Sequence, residues 1–174
     1  MAMVEKDIGM SFRRFQLWCI FGICLNAAAI AQGPIQPVQW TGSVVAKEPV
    51  QPGRKATIDV AADLQEGWHV YGLSQLPGGP TPLHVTLDDN EVVQVAGAVS
   101  GTAPVKKHDS SFDLDTQVYT RSFILHVPVQ VRQHPAVGKQ SVAVSVRFQA
   151  CSDRICLPPR TIHVPVPIEI RPGT

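Results

Sequence analysis

Hydrophobic and polar residues alternate along three segments of this chain, and this alternation constrains the fold more than any other feature. The segments are residues 57–60, 142–149 and 162–170. Successive side chains of a β-strand point to opposite faces, so a period of two indicates a strand with one buried face. Because no window of helical length shows a 3.6-residue period, we predict an all-β fold. Further candidate strands are residues 38–46, 68–71, 83–87, 92–98 and 117–127.

Pro165 and Pro167 lie two residues apart in the last alternating segment, so their missing N–H groups point to the same side of the strand. A central strand would lose hydrogen bonds there, so we expect this strand at a sheet edge. The chain also has 15 prolines and 13 glycines at short intervals, which is typical of many short strands. Seven or eight antiparallel strands predict an immunoglobulin-like β-sandwich, with a barrel as the alternative. Residues 72–82 and 101–116 are predicted to be longer loops.

The first 31 residues have the organisation of a secretory signal peptide. Basic residues precede a short apolar run, residues 17–30, and Ala29-Ile30-Ala31 fits cleavage before Gln32. The run is shorter than the ~20 residues of a membrane span, although an uncleaved anchor is an alternative. We therefore predict a signal peptide, residues 1–31, and one domain, residues 32–174. The mature protein is expected to be soluble and exported to a compartment where disulfides persist.

Removal of the signal peptide would leave a domain with a net charge near zero. The first 31 residues contain three of the 15 basic residues and two of the 14 acidic ones, so twelve of each remain. Proteins that bind nucleic acids or anionic membranes need a basic surface. The composition therefore argues against both of these partners.

Cys151 and Cys156 are the two cysteines outside the predicted signal peptide. The four residues between them, Ser-Asp-Arg-Ile, suit a turn that would bring the thiols within disulfide distance. A disulfide that closes so short a loop stabilises a fold by only about 2 kcal/mol. An exposed disulfide in a turn is also commonly labile and redox-active. The residues alone leave both interpretations open, a structural staple and a redox pair.

A metal site and a hydrolase triad are two further interpretations. Cys151 and Cys156 together with His69 or His163 provide possible metal ligands. However, the six histidines are scattered, and all three methionines lie within the first ten residues. No G-x-S-x-G motif indicates a hydrolase. We therefore expect neither a metal site nor a hydrolase triad.

Three segments resemble the N-terminal periplasmic domain of DsbD, the bacterial protein-disulfide reductase. Residues 148–161, Phe-Gln-Ala-Cys-Ser-Asp-Arg-Ile-Cys-Leu-Pro-Pro-Arg-Thr, resemble its active-site hairpin. Residues 67–71, Gly-Trp-His-Val-Tyr, resemble one of its strands, and residues 107–112, Lys-His-Asp-Ser-Ser-Phe, resemble its cap loop. The resemblance covers most of residues 38–170. The family's domain is an immunoglobulin-like sandwich, which agrees with the strand pattern.

The resemblance implies a periplasmic thiol–disulfide oxidoreductase that relays electrons without a cofactor. In the family, electrons come from a membrane-embedded partner through a thioredoxin-like domain. They pass to disulfide isomerases and to thioredoxin-like proteins of cytochrome c maturation. By this resemblance Cys156 would form mixed disulfides with partners and Cys151 would resolve them. Phe112 would cap the pair, and His69 and Tyr71 would stand near the thiols.

The chain departs from the family pattern in three respects. The best-known members have one more residue between the cysteines. Ser110 and Ser111 replace the acidic residues before the cap phenylalanine, which leaves Asp109 as the nearby acid. The sequence ends at Thr174 without a membrane domain or a thioredoxin-like domain, so the electron donor is expected to act in trans.

An alternative function belongs to a different class of protein. The chain would then be an exported, non-catalytic β-sandwich binding module whose hairpin disulfide is structural. Such a module would bind partners by strand addition at the proline-flanked edge, or through its loops.

Overall fold

Residues 35–46 and 50–173 are described by the computed structural model. The predicted signal peptide, residues 1–31, lies outside these residues. No helix among them is long and apolar enough to cross a membrane. The described residues form strands β1 Val38–Val45, β2 Lys55–Leu64, β3 Trp68–Tyr71, β4 His84–Leu87, β5 Val93–Val95, β6 Ser100–Gly101, β7 Val105–Asp109, β8 Leu114–Tyr119, β9 Phe123–Val131, β10 Gly138–Phe148, β11 Ala150–Ser152 and β12 Arg160–Ile170.

These strands form three sheets, all with antiparallel pairing. The first, which we call the large sheet, has the order β1-β2-β9-β5, with β6 also paired to β9. The second, the back sheet, has the order β12-β10-β4. The third, the site sheet, has the order β11-β3-β8-β7. The predicted immunoglobulin-like β-sandwich is confirmed. The predicted strand number, seven or eight, is too low, because the described residues include several strands of two to five residues.

Side chains from the large and back sheets meet in one apolar core. Alternate residues of β9, β10 and β12 are buried, and the residues between them are more exposed. The alternation at residues 142–149 and 162–170 therefore marks the core-facing sides of β10 and β12. The buried residues of these three strands are Phe123, Leu125, Val127, Val129, Val131, Val142, Val144, Val146, Phe148, Val164, Val166, Ile168 and Ile170.

Strand β12 lies at an edge of the back sheet, as its prolines predict. Its ladder with β10 runs without a break through Pro165 and Pro167. Since a proline nitrogen cannot donate a hydrogen bond, both nitrogens face away from β10. Strand β1 approaches β12 closely at Gly42, where an added Cβ would lie 2.6 Å from Val166 Cγ2.

Two predictions about residues 101–127 are wrong. Residues 101–116 are not a loop, because β7 and the start of β8 form a hairpin there. Strand β7 lacks hydrophobic alternation because almost all of its residues are exposed. Residues 117–127 are not one strand, since β8 ends at Tyr119 and β9 begins at Phe123, with the polar residues 120–122 between them.

Candidate functional site

The site sheet has one face against the apolar core and an opposite face that carries the candidate site residues. In β3, Val70 belongs to the main core cluster. Its neighbour Tyr71 instead packs with Val118 and Cys151 in a second, smaller cluster. Because strand residues alternate between faces, His69 lies on the same face as Tyr71.

Strand register brings these residues together from distant parts of the sequence. Cys151 of β11 lies opposite His69 of β3, and Tyr71 lies opposite Val118 of β8. Residues that are directly opposite in an antiparallel pair have Cβ atoms about 4.5–5.5 Å apart on the same face. Asp109, at the end of β7, joins this face through the β7–β8 ladder. One face of a four-stranded sheet thus holds the candidate site.

Cys151 and Cys156 form a disulfide, with their Cα atoms 4.0 Å apart. The two cysteines differ sharply in exposure. Cys151 is only 1% exposed, because it lies in β11 against Tyr71 and Val118. Cys156 is exposed to solvent. Cys156 is therefore accessible from solvent, and Cys151 is not.

Hydrogen bonds of Ser152 hold the turn between the cysteines. Its hydroxyl oxygen accepts the N–H groups of Arg154 and Ile155, both at 3.2 Å. The Ser152 N–H donates to the carbonyl oxygen of Ile155 at 2.8 Å. This closed turn presents the Ile155 side chain, 49% exposed, immediately before Cys156. The exposed cysteine therefore has an exposed apolar neighbour.

Asp109 anchors the loop between β7 and β8, residues 110–113, which overlaps the predicted cap loop, residues 107–112. One carboxylate oxygen accepts the Ser111 N–H at 2.9 Å. The other oxygen accepts the hydroxyl of Tyr71 at 2.8 Å. After the loop tip, Asp113 adopts a left-handed φ of 52°, a conformation that aspartate tolerates better than most residues. The side chain of Asp109 thereby links the loop to β3.

Phe112, at the tip of this loop, packs against the site through Tyr71. The two rings meet edge to face, with centroids 6.4 Å apart. Tyr71 makes a similar contact with His69 at 5.4 Å. Phe112 is itself 37% exposed. The role of Phe112 as a cap over the cysteines stays a prediction, but aromatic contacts connect it to the residue opposite Cys151.

Burial and nearby charges control the ionisation of His69. Burial lowers the pKa of its imidazole, and the positive charge of Lys107 lowers this pKa further. The carboxylates of Asp109 and Asp153 act in the opposite direction, but they do not reverse the shift. His69 is therefore neutral at neutral pH, since an ordinary histidine titrates near 6.5.

The hydrogen bond between Tyr71 and Asp109 favours the protonated form of the tyrosine and the ionised form of the aspartate. Burial raises the pKa of Tyr71 far above its usual value, and the hydrogen bond to Asp109 raises it further. Burial alone would raise the pKa of Asp109, but the hydrogen bonds from Tyr71 and Ser111 and the nearby His69 bring it below its usual value. At neutral pH Tyr71 is thus a hydrogen-bond donor to a carboxylate.

A cleft of about 270 Å³ opens over this face, and it is lined by both cysteines. An ion pair crosses its rim, where Lys107 of β7 lies 3.4 Å from Asp153 of the inter-cysteine turn. Both side chains are substantially exposed. Across the described part of the chain, no group of three or more His, Cys, Asp or Glu side chains is arranged to hold a metal ion.

Serine, histidine and aspartate side chains also meet on the back sheet, whereas Cys151 lies in the site sheet. His163 Nδ1 lies 2.7 Å from Asp88 and 3.0 Å from the hydroxyl of Ser145. A catalytic triad needs the serine and the carboxylate on different ring nitrogens. Here both contact the same nitrogen, so this cluster lacks the geometry of a hydrolase.

The residues singled out from the sequence are brought together, while the hydrogen bonds of Ser152 and the ion pair between Lys107 and Asp153 were missed. The hydrogen bonds of Ser152 were missed although serine is a common turn residue. The contact between Lys107 and Asp153 had no signal in the sequence, because the residues are far apart along the chain. The functional roles of the predicted residues stay predictions. All of the predicted site residues lie on the outer face of the site sheet or in the adjoining loop and turn. They are Cys151, Cys156, His69, Tyr71, Asp109 and Phe112.

Comparison with solved structures finds several proteins of low sequence identity. The N-terminal periplasmic domain of ScsB from Proteus mirabilis is 14% identical with a TM-score of 0.46, and the match covers 76% of this chain and 45% of that chain. BcpA, the major pilin subunit of Bacillus cereus, is 12% identical with a TM-score of 0.34, covering 79% and 41%. ACE19, the collagen binding subdomain of the Enterococcus faecalis surface protein ACE, is 12% identical with a TM-score of 0.32, covering 78% and 99%. The chain thus spans less than half of the ScsB and BcpA structures.

A protein-family model gives a more specific result. No curated protein matches the sequence. The family model described as thiol:disulfide interchange protein DsbD, N-terminal, matches residues 41–167. This range includes both cysteines, the β3 residue opposite Cys151 and the loop of Phe112. Because the match covers well over half of the sequence, the chain belongs to the family of N-terminal domains of the thiol:disulfide interchange protein DsbD.

Proposed function

We propose that this protein is a periplasmic thiol–disulfide exchange domain that relays electrons through Cys151 and Cys156. The observation that carries the proposal is the unequal exposure of the two sulfur-bearing residues. Cys156 is open to solvent at the rim of a cleft, and Cys151 is 1% exposed at its floor. A structural staple needs no accessible sulfur, whereas thiol–disulfide exchange needs a sulfur that a partner can reach.

The exchange takes place in two steps that together transfer two electrons and two protons. In the reduced domain, the Cys156 thiolate attacks a sulfur of the partner's disulfide, and the released partner thiolate takes up a proton. The Cys151 thiolate then attacks the Cys156 sulfur of the mixed disulfide and releases the second partner thiolate, which is also protonated. The domain ends with the Cys151–Cys156 disulfide, and the partner ends as a dithiol. Reduction of the domain follows the same steps in reverse.

The surroundings of Cys156 support contact with a folded protein partner. Ile155 presents an exposed apolar side chain beside the cysteine. Phe112 lies on a short loop that is attached to β3 through the contacts of Asp109 and Tyr71. Displacement of this loop would widen the cleft without disturbing the sandwich. We infer that Phe112 shields the disulfide until a partner moves it.

Family membership suggests the partners. The electron donor would be a membrane-embedded or thioredoxin-like reductant. The acceptors would be thioredoxin-like proteins and disulfide isomerases of the periplasm, including proteins of cytochrome c maturation. A signal peptide, residues 1–31, would deliver the domain, residues 32–174, to this compartment. The exchange itself needs no cofactor, because the cysteines carry both electrons.

The reduction potential of the pair tests this proposal directly. We would use the full chain with Cys19→Ser and Cys24→Ser, so that Cys151 and Cys156 are the remaining thiols. A potential in the range of redox-active thiol–disulfide exchange proteins, about −120 to −270 mV, supports a relay. A potential below about −300 mV, together with a large loss of stability on reduction, indicates a structural disulfide and overturns the proposal.

A mixed-disulfide trap provides the second test and identifies the partners. Cys151→Ala leaves Cys156 able to attack but removes the resolving thiol, so covalent complexes with thioredoxin-like proteins accumulate. The matched control is Cys156→Ala, which keeps the buried thiol and should trap far less. Equal trapping by both variants would contradict the assigned order of attack.

The binding-module alternative predicts a different result. Double substitution Cys151→Ala and Cys156→Ala would leave its partner binding intact, whereas a relay would lose all function. Strand addition at β12 is also not favoured by the fold, since Pro165 and Pro167 remove two donors from its free edge.

A further inference from the structure

The buried cysteine raises a chemical problem that the exposed one does not. Cys151 must become a thiolate before it can attack the mixed disulfide. Burial of a thiol in apolar surroundings opposes ionisation, and Cys151 packs against Tyr71 and Val118 in a nearly closed cluster. Tyr71 cannot accept the proton, because it already donates its hydroxyl to Asp109. A proton acceptor must therefore lie within reach on the same face.

The geometry points to His69: we propose that its imidazole takes the proton of Cys151 when Cys151 resolves the mixed disulfide. This inference rests on the proposed function. His69 is the residue directly opposite Cys151 in the β3–β11 ladder. A cross-strand pair places the two Cβ atoms about 4.5–5.5 Å apart on one face. Both residues line the same cleft as Cys156.

The environment of His69 suits a proton acceptor. The side chain is 9% exposed, and its ring is held edge-on by Tyr71 at 5.4 Å. Among the described residues its nitrogens take part in no hydrogen bond, so they are available to a thiol in the cleft. Because the pKa of His69 is lowered, mainly by burial, the neutral base is present at neutral pH.

The other ionisable groups that line the cleft are each paired with another residue, so they are less suited than His69 to accept the proton of Cys151. Lys107 is a cation paired with Asp153, and Asp109 accepts the Tyr71 hydroxyl. His108 lies 3.6 Å from the carboxylate of Asp115 and is largely exposed. The groups that act on His69 from the packed elements are Cys151 and Asp153 around β11, Tyr71 on β3, and Lys107 and Asp109 on β7.

The proton balance of the resolving step follows from this arrangement. The Cys151 thiol gives its proton to a ring nitrogen of His69, and the resulting thiolate attacks the Cys156 sulfur. The bond between Cys156 and the partner breaks, and the Cys151–Cys156 bond forms. The departing partner thiolate then takes a proton from the imidazolium, which restores neutral His69. Since the first step uses the exposed Cys156, it does not need His69.

An aromatic disulfide that releases a coloured thiolate separates the two steps. The reduced full chain with Cys19→Ser and Cys24→Ser, in modest excess, releases one thiolate when Cys156 attacks and a second when Cys151 resolves. We expect His69→Gln to slow the second release at neutral pH by about a hundredfold or more, within the range of general base catalysis. The first release should stay within about twofold of the unsubstituted rate. His134→Gln is the matched control, because His134 is an exposed residue in the turn between β9 and β10.

The pH profile distinguishes proton transfer from a structural role. With His69 the second rate should level off above a midpoint lower than 6.5, the ordinary pKa of histidine. In His69→Gln it should keep rising toward about 8.5, where a free thiol ionises. An unchanged profile, or an equal fall of both releases, overturns the inference. Absence of the first release in the unsubstituted chain would overturn the proposed function itself.

A surface variant tests the same idea without changing the buried side chain. Lys107 lowers the pKa of His69, so Lys107→Met should move the midpoint of the second release to higher pH. Loss of an exposed ion pair has little effect on folding. The shift must disappear when Lys107→Met is combined with His69→Gln. A shift that persists in the double variant would mean that Lys107 acts on the thiols directly, and it would overturn the role of His69.

Discussion

The interior between the large and back sheets and the outer face of the site sheet are both built from alternating strand residues, yet they bury different chemistry. The interior contains residues such as Leu125, Val144 and Val166, which have no exposed surface. The outer face instead encloses His69 and Cys151 beneath an open cleft of about 270 Å³. Apolar burial stabilises the interior. Hydrogen bonds of Asp109 and Ser152 hold the loop and the turn at the outer face. Stability and reactivity are therefore located in different parts of one small domain.

Strand β3 connects the two regions. Val70 packs in the main core, while His69 and Tyr71 on either side of it face the cleft. A shift of one residue in the pairing register would exchange these faces. The apolar side of β3 thus determines which side chains are presented to the cysteines. Four variants test whether the division between the two regions holds.

The largest effect on stability is expected in the interior. Leu125→Ala should lower the free energy of unfolding by about 2–5 kcal/mol, because it leaves a cavity at a fully buried position. Denaturant unfolding measures this loss, and the rate of disulfide reduction by dithiothreitol should not change. The neighbouring Ile124 is 42% exposed, so the control Ile124→Ala should cost far less. Equal losses in the two variants would contradict the assignment of the interior.

Removal of the disulfide should have a smaller effect. The bridge joins residues five positions apart, and closure of so short a loop is worth about 2 kcal/mol. The double variant Cys151→Ala and Cys156→Ala should therefore remain folded while it loses all exchange activity. Circular dichroism and denaturant unfolding check the first expectation. A variant that fails to fold would show that the site face, and not the interior, limits stability.

Tyr71→Phe should lower the free energy of unfolding by about 1.5 kcal/mol, because it removes the hydrogen bond to Asp109. This value is the lower one for hydrogen bonds to charged groups. Asp109 has a lowered pKa in the folded state. Its contribution is therefore present above pH ~4, where the unfolded carboxyl is ionised, and it is lost as the pH falls through the folded value. The difference in unfolding free energy between Tyr71→Phe and the unsubstituted protein should shrink accordingly at acidic pH. Tyr119→Phe, on the core side of the same sheet, is the control and should show no such pH dependence.

Phe112→Ala should have the smallest effect on stability, because its side chain is already 37% exposed. If Phe112 shields the cysteines, a small thiol should reduce the disulfide several-fold faster in this variant, since access limits exchange. Ser110→Ala in the same loop is the matched control. An unchanged reduction rate would remove Phe112 from the mechanism and leave it as a packing partner of Tyr71.

Much of the fold could be predicted because the interior imposes a strict pattern. Strands β10 and β12 alternate core-facing apolar residues with more exposed residues over 142–148 and 162–170, and Pro165 and Pro167 predict the position of β12 at an edge. Strand β7 was missed because it lies at the edge of the site sheet with nearly all residues exposed. Hydrogen bonding to β8 forms this strand, and no burial pattern accompanies it.

The candidate site could be predicted in composition but not in arrangement. The sequence motifs around Cys151, Tyr71 and Phe112 indicate their family resemblance without any coordinates. The contact between Lys107 and Asp153 had no such signal, since an exposed ion pair constrains neither residue's neighbours in sequence. The same holds for the Tyr71 hydroxyl bond to Asp109, which joins two strands that are not adjacent in the sheet order.

By itself, the sequence determined the all-β sandwich, the edge position of β12 and the cysteine pair, because each depends on local periodicity, on proline chemistry or on a short motif. The tertiary structure decided which cysteine is exposed and which residue lies opposite the buried one. Those properties depend on the pairing of β3 with β11 and β8. Pairing between distant strands is determined by how whole faces pack, and no local segment of the chain carries that information.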